Sequence, residues 1–162
     1  MSEESFIYDT TADQVAALEV AGRPLRDLIS EVQSLYLEDA RPWVVGFSGG
    51  KDSTATLQLV YSAILALEPA QRAKPVFVVS SDTLVETPVV VDLIKSTLAE
   101  INESAAAANV PMTAHQVVPK TDSTFWVNLL GKGYPAPTQS FRWCTERMKI
   151  NPVSAFILDK VA

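Results

Sequence analysis

Apolar positions along this chain alternate between two rhythms. From Asp13 to Leu37 the spacing is helical, with Leu25, Leu28, Ile29, Val32 and Leu35 following a break at Gly22, and with Pro24 suited to a first turn. "ARPW" ends that helix, and "WVVGF" is short, β-branched and apolar throughout, the pattern of a parallel strand covered on both faces. From Ser53 or Thr54 the helical rhythm returns in Leu57, Leu59, Val60, Ile64, Leu65 and Leu67, and stops near Pro69. "KPVFVVSSDT" reads as a second strand with a polar end, Thr87 or Pro88 opens a long helix through alanines 105–108, and "MTAHQVVP" reads as a third strand. Such alternation implies right-handed crossovers. It predicts an α/β fold: a Rossmann-like, three-layer parallel sheet with helices on both faces, preceded by a helical N-terminal segment. The expected division is a helical segment over 1–41 and the α/β domain over 42–162.

After Pro119 the pattern changes. "KTDSTFWVNLLGKGYPAPTQSFRWCTERMKINP" holds a short helical piece around Phe125 to Leu130 and then Gly, Pro and Thr, which predicts a loop laid over the sheet edge. Open α/β sheets bind ligands beyond the C-terminal ends of their strands, so this segment is expected beside the polar loop that follows the first strand.

Composition narrows the picture. A chain of 162 residues, 48% hydrophobic and 20% charged, suits one domain with a sizeable core. No apolar run approaches the roughly 18 residues of a membrane span, and "MSEESFIYDTTADQ" lacks the basic start and apolar core of a secretory signal. A cytoplasmic protein without membrane attachment is expected. Cys144 is the single cysteine, so the chain forms no internal disulfide and does not by itself supply a four-cysteine metal or iron-sulfur site. The net charge of -6 argues against unaided, nonspecific nucleic-acid binding. The charge is uneven, however. Residues 120–162 hold six basic and three acidic side chains, against seven and sixteen before them, which makes the last quarter the anion-facing candidate.

The loop after the first strand reads Ser48-Gly49-Gly50-Lys51-Asp52-Ser53. It is not a P-loop: Val45 stands where that motif needs its first glycine, and Asp52 follows the lysine in place of a hydroxyl residue. Glycines let the backbone approach a ligand, successive N–H groups form an anion nest, and the helix N-terminus adds about half a positive charge. Lys51 adds a full one. The plain alternative is a glycine turn in which Asp52 or Ser53 caps the next helix.

In its strand and helix context, SGGKDS resembles the pyrophosphate loop of the ATP pyrophosphatase (PP-loop, adenine nucleotide alpha hydrolase) superfamily, whose members cleave ATP between the alpha and beta phosphates. The resemblance implies that Ser48, Gly49, Gly50, Asp52 and Ser53 surround pyrophosphate while Lys51 neutralises it. "SSDTLVETPVV" is similar to the matching segment of phosphoadenylylsulfate (PAPS) reductases. That similarity puts Ser80, Asp82 and Thr83 on the nucleotide pocket and gives Glu86 and Thr87 the neighbouring helix entry. A capping box of Thr83 with Glu86 is the alternative. "FRWCTERMKINP" resembles the Arg/Cys/Lys-Pro element near the substrate of the same branch. Arg142, Arg147 and Lys149 concentrate charge suited to phosphate, or form a solvated basic face. Cys144 is either a sulfur-handling thiol or an inert one. His115, alone on a strand, reads as a packed or exposed side chain rather than a ligand.

Within that branch the chain from about Leu25 onward resembles the N-terminal part of the DndC family of DNA phosphorothioation proteins, through "GFSGGKDSTATLQLVYSAI", "SSDTLVETP" and "GKGYPAPTQSFRWCTERMKI". The resemblance implies an ATP- and Mg2+-dependent enzyme that adenylates a DNA backbone phosphate so that sulfur displaces the activated oxygen. Its partners would be DNA, a cysteine desulfurase and other Dnd-system proteins. Lys51, Asp52, Arg142 and Cys144 are the catalytic candidates. The family's usual chain is much longer and carries an iron-sulfur cluster on several cysteines. With one cysteine, and ending at "AFILDKVA" within a helical pattern, this sequence is expected to be either a piece of such a chain or a member without the cluster. The alternatives are an adenylylsulfate reductase-like enzyme and a nucleotide-binding assembly module without turnover.

Overall fold

The structure is a computed structural model and describes residues 19, 20 and 22–160. The expected N-terminal helical segment before residue 19 and the final two positions lie outside the described residues. Glu19–Val20 and Arg23–Pro24 form a short antiparallel ladder around Gly22, whose φ of 75° makes the tight turn. Helix α1, Leu25–Glu38, follows with Pro24 at its N-cap, one position ahead of the first turn.

The three apolar runs form one parallel sheet: β1 Trp43–Gly46, β2 Val76–Ser81 and β3 Met112–Val117, with β2 in the middle. Val76 and Val78 are fully buried, as a central parallel strand requires. Helix α2 is Lys51–Leu65 and α3 is Pro88–Ala107. Leu57, Val60 and Ile64 of α2 and Leu98, Ile101 and Ala105 of α3 join Val76 and Val78 in one core cluster. On the alternate positions of the pleat, the rings of Phe77 and His115 lie 5.9 and 5.0 Å from that of Phe156. The architecture is thus a small three-stranded parallel sheet flanked by helices, compatible with a Rossmann-like fold.

At the N-terminal end of the sheet, α1 is locked down by Tyr36. Its hydroxyl donates to the Lys74 carbonyl, its ring meets Trp43 edge-on, and the buried Lys74 ammonium lies 4.9 and 4.7 Å from those two rings and 3.2 Å from Asp39. The opposite end is left for the loops. Among the described residues no helix is long and apolar enough to cross a membrane.

Two expectations are corrected. Helix α2 begins at Lys51 rather than at Ser53 or Thr54, because extended Gly50 (ψ 161°) is the N-cap and its carbonyl takes the Thr54 N–H at 3.0 Å. The FRWCTERMKINP element is not loop. From Trp143 it is helical, through Trp143–Thr145, a π-helical Glu146–Ile150 and then Asn151–Lys160, together called α4. Pro152 lacks the N–H that an α-helical turn would use, and the wider turn lies directly before it.

Candidate functional site

The glycine loop leaves the sheet beside the end of β2: Gly46 is level with Val79, and the Phe47 N–H donates to the Val79 carbonyl at 2.9 Å. Gly49 has a φ of 73°, and a Cβ there would sit 2.4 Å from Ile94 Cδ1 of α3. The backbone conformation demands glycine, and a Cβ there would also push the end of the Ile94 side chain aside. Ser48 and Ser53 brace the turn, with Oγ atoms 3.1 Å apart and the Ser53 hydroxyl donating to the Gly50 carbonyl at 2.9 Å. No side chain caps α2, so neither Asp52 nor Ser53 is its cap. The first N–H groups of a helix have no partner within it, and here they open at the strand end with exposed Lys51 among them. Lys51 makes no ion pair with a described residue.

Gly49→Ala is expected to destabilise the fold by about 1–2 kcal/mol through the left-handed backbone alone. The displaced Ile94 side chain adds to that cost, and denaturant unfolding measures the total.

The second motif also departs from a cap. Helix α3 has Thr87 as its N-cap and Pro88 at its first position, so Thr83 and Glu86 precede it. The Thr83 hydroxyl and backbone N–H donate to the Glu86 carboxylate at 2.6 and 3.2 Å, folding the segment into a closed turn. Asp82 shapes the same turn. Its Oδ1 accepts the Leu84 N–H at 2.8 Å, which fits the positive φ of 61° at Leu84, and its Oδ2 faces the Gln116 amide at 3.4 Å.

Burial pushes the Glu86 carboxyl up, but the hydrogen bonds from Thr83 and from neighbouring backbone N–H groups prevail and hold it below its ordinary value. A carboxyl depressed on folding stabilises the fold above its unfolded pKa, and that stability is lost as pH falls through the lower folded value. Wild-type protein should therefore lose more stability on acidification from about pH 6 to about pH 3 than Glu86→Gln does, as followed by urea midpoints.

These segments meet in a cleft of about 350 Å³. Ser48, Ser80, Asp82 and Lys149 line it, with an apolar wall from Val90, Val91 and Ile94 of α3 and Val153 of α4. Thr83, 3% exposed, is buried next to Asp82, while Gly49, Gly50, Lys51, Asp52 and Ser53 form the adjoining turn and helix start. The basic trio is not gathered. Lys149 reaches the cleft, whereas Arg147 donates to the Tyr134 hydroxyl at 2.8 Å with its guanidinium over that ring, and Arg142 is exposed. On a helix, positions two apart point nearly opposite ways, so Arg147 and Lys149 separate once the segment is helical. Cys144 is half-buried, and neither it nor Arg142 lines the cleft.

Sequence reasoning missed Gln116 and placed Glu86 only at a helix entry, yet both line the cleft. Gln116, a polar side chain near the C-terminal end of a strand, was the available signal. His115 is packed against Phe77 and Phe156, with a pKa lowered by burial and by the Lys160 charge. Among the described residues no group of three or more His, Cys, Asp or Glu side chains stands together. With Cys144 as the only cysteine, the donor set does not fit an iron-sulfur cluster.

No family model matches the chain. An uncharacterized protein of Methanocaldococcus jannaschii is 28% identical over 132 residues, covering 82% of this chain and 23% of that protein. The chain thus spans about a quarter of the length of the curated relative it matches.

Proposed function

We propose that this chain is the nucleotide-activating part of a DNA sulfur-modification enzyme, a cytoplasmic ATP pyrophosphatase of the DndC kind. Its three strands would belong to a three-layer, adenine nucleotide alpha hydrolase-like sheet. The observation carrying this reading is the convergence of the Ser48 loop, the Val79–Asp82 strand end and Lys149 on one cleft beside the open N-terminus of α2.

In this reading the beta and gamma phosphates of ATP rest on the loop from Ser48 to Ser53 and the adenine lies toward Val79–Thr83. A nonbridging oxygen of a DNA phosphate attacks the alpha phosphorus, a new P–O bond forms, the alpha–beta bridging bond breaks, and pyrophosphate leaves with the electron pair. Gly49 and Gly50 let the backbone close on the leaving group, and Lys51 stabilises its growing charge. Such positioning and charge stabilisation make up most of phosphoryl-type catalysis. Lys149, from the far wall, holds a second phosphate. Magnesium would balance the phosphate charge; the carboxylates that line the cleft, Asp82 and Glu86, are already held by hydrogen bonds of their own turn. Sulfur would come from a cysteine desulfurase, with other Dnd proteins completing the system.

Product analysis tests the reaction class. With DNA and partner proteins supplied, ATP should yield pyrophosphate and an adenylyl product. Release of ADP and inorganic phosphate, or of sulfite from PAPS with a thiol donor, would contradict the reading.

A further inference from the structure

Outside the cleft, the segment between β3 and α4 builds a connected set of aromatic rings. Phe125 stacks on Trp143 at 5.6 Å and 21°, Trp126 meets Phe125 edge-on at 5.1 Å, and Tyr134 meets Trp143 edge-on at 5.6 Å. Trp143 is buried and its indole N–H is used by the Pro135 carbonyl at 3.0 Å, so the inner part of this set is fixed. Its outer member Trp126 is not covered. Trp126 is 57% exposed and Phe141, two residues before Trp143, is 47% exposed. Exposed Lys120, Lys132 and Arg142 belong to the same segment, whose only acidic residues up to Arg147 are Asp122 and Glu146.

We infer that Trp126, backed by the Phe125–Trp143 stack, forms with exposed Phe141 and with Lys120, Lys132 and Arg142 of the same segment a stacking platform for unpaired bases of a single-stranded stretch of nucleic acid. Cationic side chains beside uncovered rings match a polyanion that also offers flat apolar faces, and a rigid backing lowers the ordering cost of binding. Bases inside a duplex hide those faces, which selects the single strand. Arg142 directly precedes Trp143, the start of the helical run on which Lys149 enters the cleft. In the proposed function a strand held on the platform would continue toward the cleft. The inference deepens the functional reading, on which it rests for the fate of that strand: the phosphate presented for activation would lie in a locally unpaired region.

The test is fluorescence anisotropy of a labelled single-stranded oligonucleotide and of the duplex of the same sequence, with the intact chain at fixed salt. The single strand should bind tighter, and Trp126→Ala should weaken its binding by about fivefold or more. Trp126→Phe, which keeps a ring, should stay within about twofold of wild type. Trp126→Lys adds a cation at an exposed site and should still weaken binding. Equal or tighter binding of the duplex, equal loss in the Phe and Ala variants, or unchanged or tighter binding by Trp126→Lys would each overturn the platform. Failure of the functional reading looks different: single strands bind through Trp126, but no pyrophosphate is ever formed from ATP.

Discussion

Lys51→Ala is expected to lower ATP-derived pyrophosphate release about a hundredfold or more in the complete enzyme, with the melting temperature nearly unchanged. Lys51 is the first residue of α2, exposed and without an ion pair to a described residue, so its removal breaks no contact that holds the fold. In the proposed reaction a full positive charge beside the leaving group is lost. Asp52→Ala is the paired control. Because Gly50 caps the helix through its backbone, Asp52 contributes only its charge near the helix N-terminus, about 0.3–1 kcal/mol, instead of a capping bond. A Lys51 variant with wild-type turnover would show that the loop is only a turn.

Trp143→Ala should destabilise the chain by about 3–5 kcal/mol, the usual cost of truncating a large buried aromatic. Trp143 is 6% exposed, stacked on Phe125 and edge-on to Tyr134, and bonded through Nε1 to Pro135. It also opens the helical run that brings Lys149 to the cleft, so nucleotide affinity should fall with stability although Trp143 does not line the cleft. Trp143→Phe keeps the stacking ring and should recover part of both losses. Denaturant unfolding and nucleotide titration of the two variants check this, and a Trp143→Ala protein of wild-type stability would contradict the packing described.

The sheet and its helices were legible because burial writes itself into the sequence. β2 is apolar on both faces because both are covered, and Pro88 marks the start of α3 where proline's fixed φ suits a first turn. The Ser48 loop was legible as a tight strand-to-helix turn, since two glycines directly after a buried strand suit one. Interactions between side chains close in sequence were not. Thr83 and Glu86 have the spacing of a capping box, but the helix begins only at Pro88 and the same two groups close a turn instead. The FRWCTERMKINP segment lacks apolar periodicity because its helix is held by Trp143 in an aromatic cluster, a contact that no local pattern encodes. Charge counting marked Arg142, Arg147 and Lys149 as one group, but helical geometry sends them to three environments.

Isothermal titration of the chain with ATP, AMP and pyrophosphate bears most directly on the claim that the Ser48 loop holds the pyrophosphate end of ATP. It needs neither turnover nor partners. ATP should bind more tightly than AMP, pyrophosphate should compete with ATP, and Lys51→Ala should remove most of the advantage of ATP over AMP. Equal affinity for ATP and AMP in the wild-type chain, unchanged by Lys51→Ala, would contradict the account.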